Sequence, residues 1–184
     1  AMENSIKNLH FLKNINFVDE FREVIPDNIP FIIVAAGPSL DKNIDELKRV
    51  EGRAFIIVVD RAVNDVVKHG INFDAIITVD AGKSIEYMNN EESYKYPIFA
   101  CDDAKNELLE LNKGRKIFLI GTAFMNKICK KYGIETKHYS VGGSVATSAF
   151  NMARVIGSKK IIFDEFVFLI GNFLVEAGEF SRTP

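Results

Sequence analysis

Polar residues of a few chemically useful kinds close the apolar runs of this sequence. Gly37-Pro38-Ser39 follows the first run, Asp60-Arg61 the second, Asp80-Ala81-Gly82 the third, Asp102-Asp103 the fourth and Gly121-Thr122 the fifth. Glycine permits positive φ and close approach of a ligand. Proline fixes its own φ and donates no hydrogen bond, and serine caps a helix or bonds a phosphate oxygen. A second glycine-bearing segment, Ser140-Val141-Gly142-Gly143-Ser144-Val145-Ala146-Thr147, precedes an alanine-rich stretch. Two glycines there leave the amide donors of a first helical turn uncovered, and Ser144 and Thr147 bring hydroxyls to the same end, an arrangement suited to an anion. Asp41 and Asp45 would repel a phosphate lodged deep at the first turn, so the second glycine loop is expected to hold more of the charge.

Asp60 follows Gly37 at about the interval at which nucleotide-binding folds set an acid on ribose hydroxyls, and a ribose contact is its expected role. Neither G-x-G-x-x-G nor G-x-x-x-x-G-K-[ST] occurs, which disfavours a conventional NAD enzyme or P-loop ATPase. Of the three histidines, His10 and His69 fit structural positions, whereas His138, shortly before the glycine pair, is a candidate general base. Asp80, Asp102 and Asp103 are the carboxylates available for Mg²⁺, although helix capping and a solvated surface explain each of them as well. A tight strand-to-helix turn or close helix packing likewise explains the glycines one at a time. Several such endings on one rim form a pocket.

These residues need a frame. The apolar runs are Phe31 to Ala36, Ala54 to Val59, Ala75 to Val79, Ile98 to Cys101, Ile117 to Ile120 and Ile161 to Phe163. Continuous β-branched runs without alternation predict strands buried on both faces, hence a mostly parallel sheet of about six strands between helices, a Rossmann-like three-layer α/β/α sandwich. Helical faces lie between them: Ile44, Leu47 and Val50; Ala62, Val63, Val66 and Val67, stopped at Gly70; Phe124, Met125, Ile128, Cys129 and Tyr132, closed by Gly133. The last helix runs from Ser144 to Ile156, with Ala146, Ala149, Phe150 and Ala153 inward and Gly157 at its end. In open parallel sheets ligands bind beyond the carboxyl ends of the strands, where all of the polar endings fall. Residues 1–28 read as an N-terminal helical arm, with Phe17, Phe21 and Val24 on one face; 29–163 as the nucleotide-binding domain; and 164–184 as an atypical or truncated tail.

With 184 residues, 47% of them hydrophobic, the chain can bury a core of its own. A net charge of −2 and the lack of a dense basic run argue against nucleic acid as a partner. Cys101 and Cys129 sit in apolar surroundings and read as reduced core residues of a cytoplasmic protein. The apolar tail around Phe166 to Val175 is interrupted by Gly171 and Asn172 and falls short of the roughly 20 residues of a membrane span.

The stretches A-A-G-P-S-L-D-K-N-I (35–44), V-V-D-R-A (58–62), H-G-I-N-F-D-A-I-I-T-V-D (69–80) and G-G-S-V-A-T-S-A-F-N-M-A (142–153) together resemble the central domain of motility accessory factor (Maf) flagellin glycosyltransferases. The same domain type is similar to archaeal 6-hydroxymethylpterin pyrophosphokinases of the MptE-like kind, and its G-P-S-L loop to bacterial sialyltransferases that use CMP-sialic acid. The resemblance implies transfer of a nonulosonic sugar (a sialic, pseudaminic or legionaminic acid) from a CMP donor to serine or threonine of flagellin, with no cofactor required. It places Gly37, Pro38 and Ser39 near the nucleotide and Asp60 at its ribose or base. Gly142, Gly143 and Ser144 then face the phosphate or sugar, and Asp80 the reacting centre. Where the family continues from its last apolar strand into Gly-Gln-Asp-Leu, this chain reads Asp164-Glu165-Phe166-Val167, which sets independent catalysis in question. Two other readings accompany this one. A Mg²⁺-dependent diphosphotransferase would use Asp80 with Asp102 or Asp103. A non-enzymatic module would bind flagellin, or a second copy, through the apolar tail from Phe166 to Phe180.

Overall fold

The structure is a computed structural model that describes residues 1–14, 16–22, 24–26, 28–37, 40–136, 139 and 143–164. Every strand is parallel to its neighbours. The strands are β1 (Asn16–Phe17), β2 (Phe31–Val34), β3 (Phe55–Val59), β4 (Ala75–Thr78), β5 (Ile98–Cys101), β6 (Lys116–Leu119) and β7 (Ile161–Asp164). They form one sheet in the order β1-β6-β5-β4-β3-β2-β7. The six apolar runs are thus six of its strands, and the seventh, β1, comes from the segment expected to be a helical arm.

The chain steps outward from β2 through β6 one strand at a time. Right-handed crossovers then place every intervening helix on the same face. These are α2 (Leu40–Val50), α3 (Val63–Lys68) and α4 (Asn106–Leu111), with α5 (Ala123–Lys131) after β6. Ile32, Val34, Ile56, Val58 and Ile76 point to this side and pack with Leu40, Ile44, Leu47, Val63, Val66, Leu108, Met125 and Cys129. The return from β6 to β7 runs in the opposite direction, so its helix, α6 (Val145–Ile156), covers the other face. There Ile33, Ile57, Val59 and Ile77 meet Ala146, Ala149, Met152, Ala153 and Ile156. Small side chains let α6 lie close to β2, β3 and β4. Phe150, expected inward, is half-buried at the margin, its ring 5.7 Å from that of Phe163. Gly157, at φ +101°, ends α6 in the left-handed conformation that glycine adopts without strain.

The N-terminal segment departs from the expected arm. A short helix, α1 (Met2–Lys7), is followed by 3₁₀ turns at Asn8–Asn14 and Val18–Phe21, with β1 between them on the edge of β6. The asparagines there bond outward rather than along a helix: Asn8 reaches the carbonyls after β5, and Asn16 Nδ2 donates to Glu20 Oε2 at 2.7 Å. Phe17 and Val18 are buried, whereas Val24, expected on the same face, is exposed. The segment is also tied to the carboxyl rim of the sheet. Asn4 Nδ2 donates to the carbonyls of Ala81 (3.0 Å) and Asp103 (3.2 Å), and Asn8 Nδ2 to those of Asp102 (3.0 Å) and Ala104 (2.9 Å). Among the described residues no helix is long and apolar enough to cross a membrane. The apolar tail, 165–184, lies outside the described residues.

Candidate functional site

A crevice of about 560 Å³ opens at the carboxyl ends of three adjacent strands. Ala35 and Ala36 after β2, Val59 to Arg61 at the end of β3, and Val79 and Asp80 after β4 line one side. Lys83 and the start of α6, Gly143 to Ala146, line the rest. The volume lies in the range that holds a drug-sized ligand. Here the crossovers part to opposite faces: α2 and α3 descend on one side of the sheet and α6 on the other, which leaves the strand ends uncovered. Gly143 of the second glycine segment lines the crevice, and Gly37 follows directly on the lining residues Ala35 and Ala36 without lining it itself. Pro38, Ser39, Gly142 and His138 lie outside the described residues.

At the start of α6, Gly143 takes φ +44°, and Ser144 is the cap, its Oγ accepting from Thr147 N at 3.1 Å. The Ser144 and Thr147 hydroxyls stand 2.9 Å apart and bond each other. They thus complete the cap. Thr147 is the third residue of the helix, so the amides of Val145 and Ala146, ahead of it, have no acceptor among the helix's own carbonyls. Both of these residues line the crevice, where the positive end of the helix dipole favours an anion.

Asp60 is fully buried. Its Oδ1 accepts from the amide of Arg61 at 2.8 Å and faces Lys83 Nζ at 3.1 Å, and its Oδ2 accepts from Thr78 Oγ1 at 2.9 Å. The ribose role expected from its spacing would therefore have to compete with partners on both oxygens. Asp80 is exposed at the rim. Its Oδ1 accepts from Gly82 N at 2.8 Å, which turns the chain back toward the sheet, and its Oδ2 stands 4.0 Å from Lys83 Nζ.

Asp102 and Asp103 are not in this crevice. Asp102 is fully buried at the end of β5, where its Oδ1 accepts from the amides of Gly121 (2.8 Å) and Thr122 (3.0 Å). Its Oδ2 accepts from the hydroxyls of Thr122 and Ser5. The Gly121-Thr122 ending is thereby used up as a bracket for Asp102, while Thr122 Oγ1 also caps α5 through Met125 N at 3.1 Å. Of the carboxylates expected for Mg²⁺, Asp80 lines the crevice, and Asp102 has both oxygens taken by neutral donors. Among the described residues no group of three or more histidine, cysteine, aspartate or glutamate side chains is placed to hold a metal ion. Both cysteines are buried, and burial, reinforced at Cys101 by the Asp102 and Asp103 charges, raises their thiols above the usual range.

Sequence reasoning missed Lys83, buried at 6% exposure, and the side chains grouped with it. The ring of Tyr87 lies 5.2 Å from the Arg61 guanidinium and 5.8 Å from Lys83 Nζ, so it flanks both cations of the crevice. A lysine after Asp-Ala-Gly reads as a solvated turn residue; only the turn at Asp80 and the carboxylate of a different strand draw it inward.

A parallel sheet flanked on both faces, with its crevice at the point where the crossovers diverge, defines a Rossmann-like α/β domain. The chain belongs to the MptE-like family, whose model, described as 6-hydroxymethylpterin diphosphokinase MptE-like, matches residues 3–164. Among solved structures, the Maf glycosyltransferase from Magnetospirillum magneticum AMB-1 is similar, with a TM-score of 0.63 and 16% identity. The match covers 79% of this chain and 26% of that one, so the chain spans about a quarter of that protein's length, and the likeness is one of fold. No curated protein matches the chain.

Proposed function

We propose that the crevice binds the nucleotide of an activated sugar, and that the chain is the nucleotide-sugar-binding domain of a Maf-type glycosyltransferase. In this reading a nonulosonic acid passes from a CMP donor to serine or threonine of flagellin in the cytoplasm, with further chain needed for turnover. The observation that carries the proposal is the start of α6, whose first residues, Val145 and Ala146, line a crevice at the ends of β2, β3 and β4. Glycosyl transfer of this kind passes through an oxocarbenium-like state while CMP departs as an anion. Preorganised amide donors stabilise that developing charge. Gly37, Pro38 and Ser39 would flank the nucleotide, with Gly142, Gly143, Ser144 and Thr147 around the phosphate. Asp80, the exposed carboxylate of the crevice, would face the reacting centre, and His138 is the histidine nearest in sequence to the glycine pair.

The family's description supports a second reading, diphosphate transfer to a pterin. A Mg²⁺–nucleotide needs only one or two protein carboxylates, and Asp80 is the accessible one. Thermal unfolding separates the two. The glycosyltransferase reading expects CMP to raise the melting temperature without Mg²⁺. No response to CMP, together with protection by ATP and Mg²⁺ that Asp80→Asn abolishes, would establish the diphosphokinase reading instead.

A further inference from the structure

The crevice holds a buried lysine that the functional reading leaves without a task. Lys83 reaches it through a short, well-braced turn. Asp80 Oδ1 accepts from Gly82 N at 2.8 Å, and Asn4 Nδ2 holds the carbonyl of Ala81 at 3.0 Å. The side chain then runs inward beside Tyr87 until its ammonium meets Asp60 Oδ1 at 3.1 Å. Asp60 is itself immobilised by Thr78 Oγ1 and by the amide of Arg61. An ammonium carries three hydrogens. Asp60 takes one, and Asp80 Oδ2, at 4.0 Å, is beyond hydrogen-bond distance.

Burying such a pair is a poor way to gain stability, because apolar residues of similar volume pack there at less desolvation cost. What the pair does achieve is a cation held by a residue of the cavity wall, which the first residues of α6 also line. We infer that Lys83 is a phosphate ligand of the crevice, and that Asp60 is a positioning residue that holds Lys83 rather than the ribose. The inference rests on the crevice taking a phosphate-bearing ligand, as proposed above. It assigns the phosphate a charged partner in addition to neutral amides, a combination that shortens and strengthens the hydrogen bond.

The test uses the full chain with three probes: inorganic pyrophosphate and CMP by calorimetry, and cytidine by saturation-transfer NMR. Lys83→Met alone strands a buried carboxylate, so the informative variant is Lys83→Met with Asp60→Asn, which removes both charges together. We expect this double variant to bind pyrophosphate and CMP about tenfold more weakly or worse, the size of one charge-assisted hydrogen bond, and cytidine unchanged. Asp60→Asn alone should also weaken pyrophosphate binding, although it deletes a negative charge and simple electrostatics calls for tightening. Unchanged pyrophosphate and CMP affinities in the double variant would remove Lys83 from the phosphate site. A parallel loss of cytidine would put Asp60 on the ribose, and tighter or equal pyrophosphate binding by Asp60→Asn would end its positioning role. A parent chain that binds pyrophosphate but not CMP contradicts the CMP reading and leaves this inference standing. One that binds no pyrophosphate contradicts the inference itself.

Discussion

Asp60 and Asp102 end β3 and β5, both are fully buried, and their surroundings have opposite character. Asp102 is met by neutral donors: two backbone amides and the hydroxyls of Thr122 and Ser5. Asp60 is met by a lysine ammonium in addition to one amide and one hydroxyl. The carboxylate solvated by many fixed dipoles is a bracket, joining β5 to the loop after β6 and to α1. The one answered by a cation concentrates a counter-charge on a side chain at a cavity wall. Only the second arrangement places a charged donor on a residue that lines the crevice.

Substitutions at the two carboxylates and their partners should therefore differ in cost. Removing the single cation should hurt most: Lys83→Met strands the Asp60 carboxylate and should cost about 3–5 kcal/mol of unfolding free energy in urea titrations. Asp102→Ala deprives the Gly121 and Thr122 amides of their acceptor and should cost about 3 kcal/mol, with CMP affinity unchanged. A loss of CMP affinity in that variant would erase the distinction between bracket and binding site. Ser5→Ala removes one neutral donor of several and should cost only about 1 kcal/mol. Were it to match Lys83→Met, the Asp102 cluster would be as dependent on one partner as Asp60 is. Ser144→Ala, which deletes the α6 cap, should also lie near 1 kcal/mol. The smallest effect concerns the cysteines. Burial at both, with the Asp102 and Asp103 charges adding to it at Cys101, raises their pKa values, so both stay protonated at pH 8. A thiol reagent should label them only as fast as the chain unfolds.

The sheet was legible because its strands are unbroken β-branched runs, a pattern that only two-sided burial explains, and α6 because Ser144 and Gly157 bracket an alanine-rich face. Strand β1 was not. Asn16-Phe17 is too short for a period, and its conformation comes from pairing with Ile117 and Phe118, a hundred residues away in the chain. The site was half legible. Glycines and aspartates at strand ends marked the rim, but the same signal covered two roles, and residue type alone could not separate Asp60 from Asp102. The separation comes from tertiary neighbours: Thr78 and Lys83 for one, Ser5, Gly121 and Thr122 for the other. Lys83 was invisible for the same reason, since nothing in its local sequence announces burial.

A crystal of the chain soaked with CMP locates the nucleotide on the rim of the sheet. The phosphate is expected at the start of α6, within hydrogen-bond distance of the Val145 and Ala146 amides and of Lys83 Nζ, with Asp60 still bound to Thr78. A nucleotide seated instead beside Asp102 and Thr122, or on the far face of the sheet, would contradict that placement.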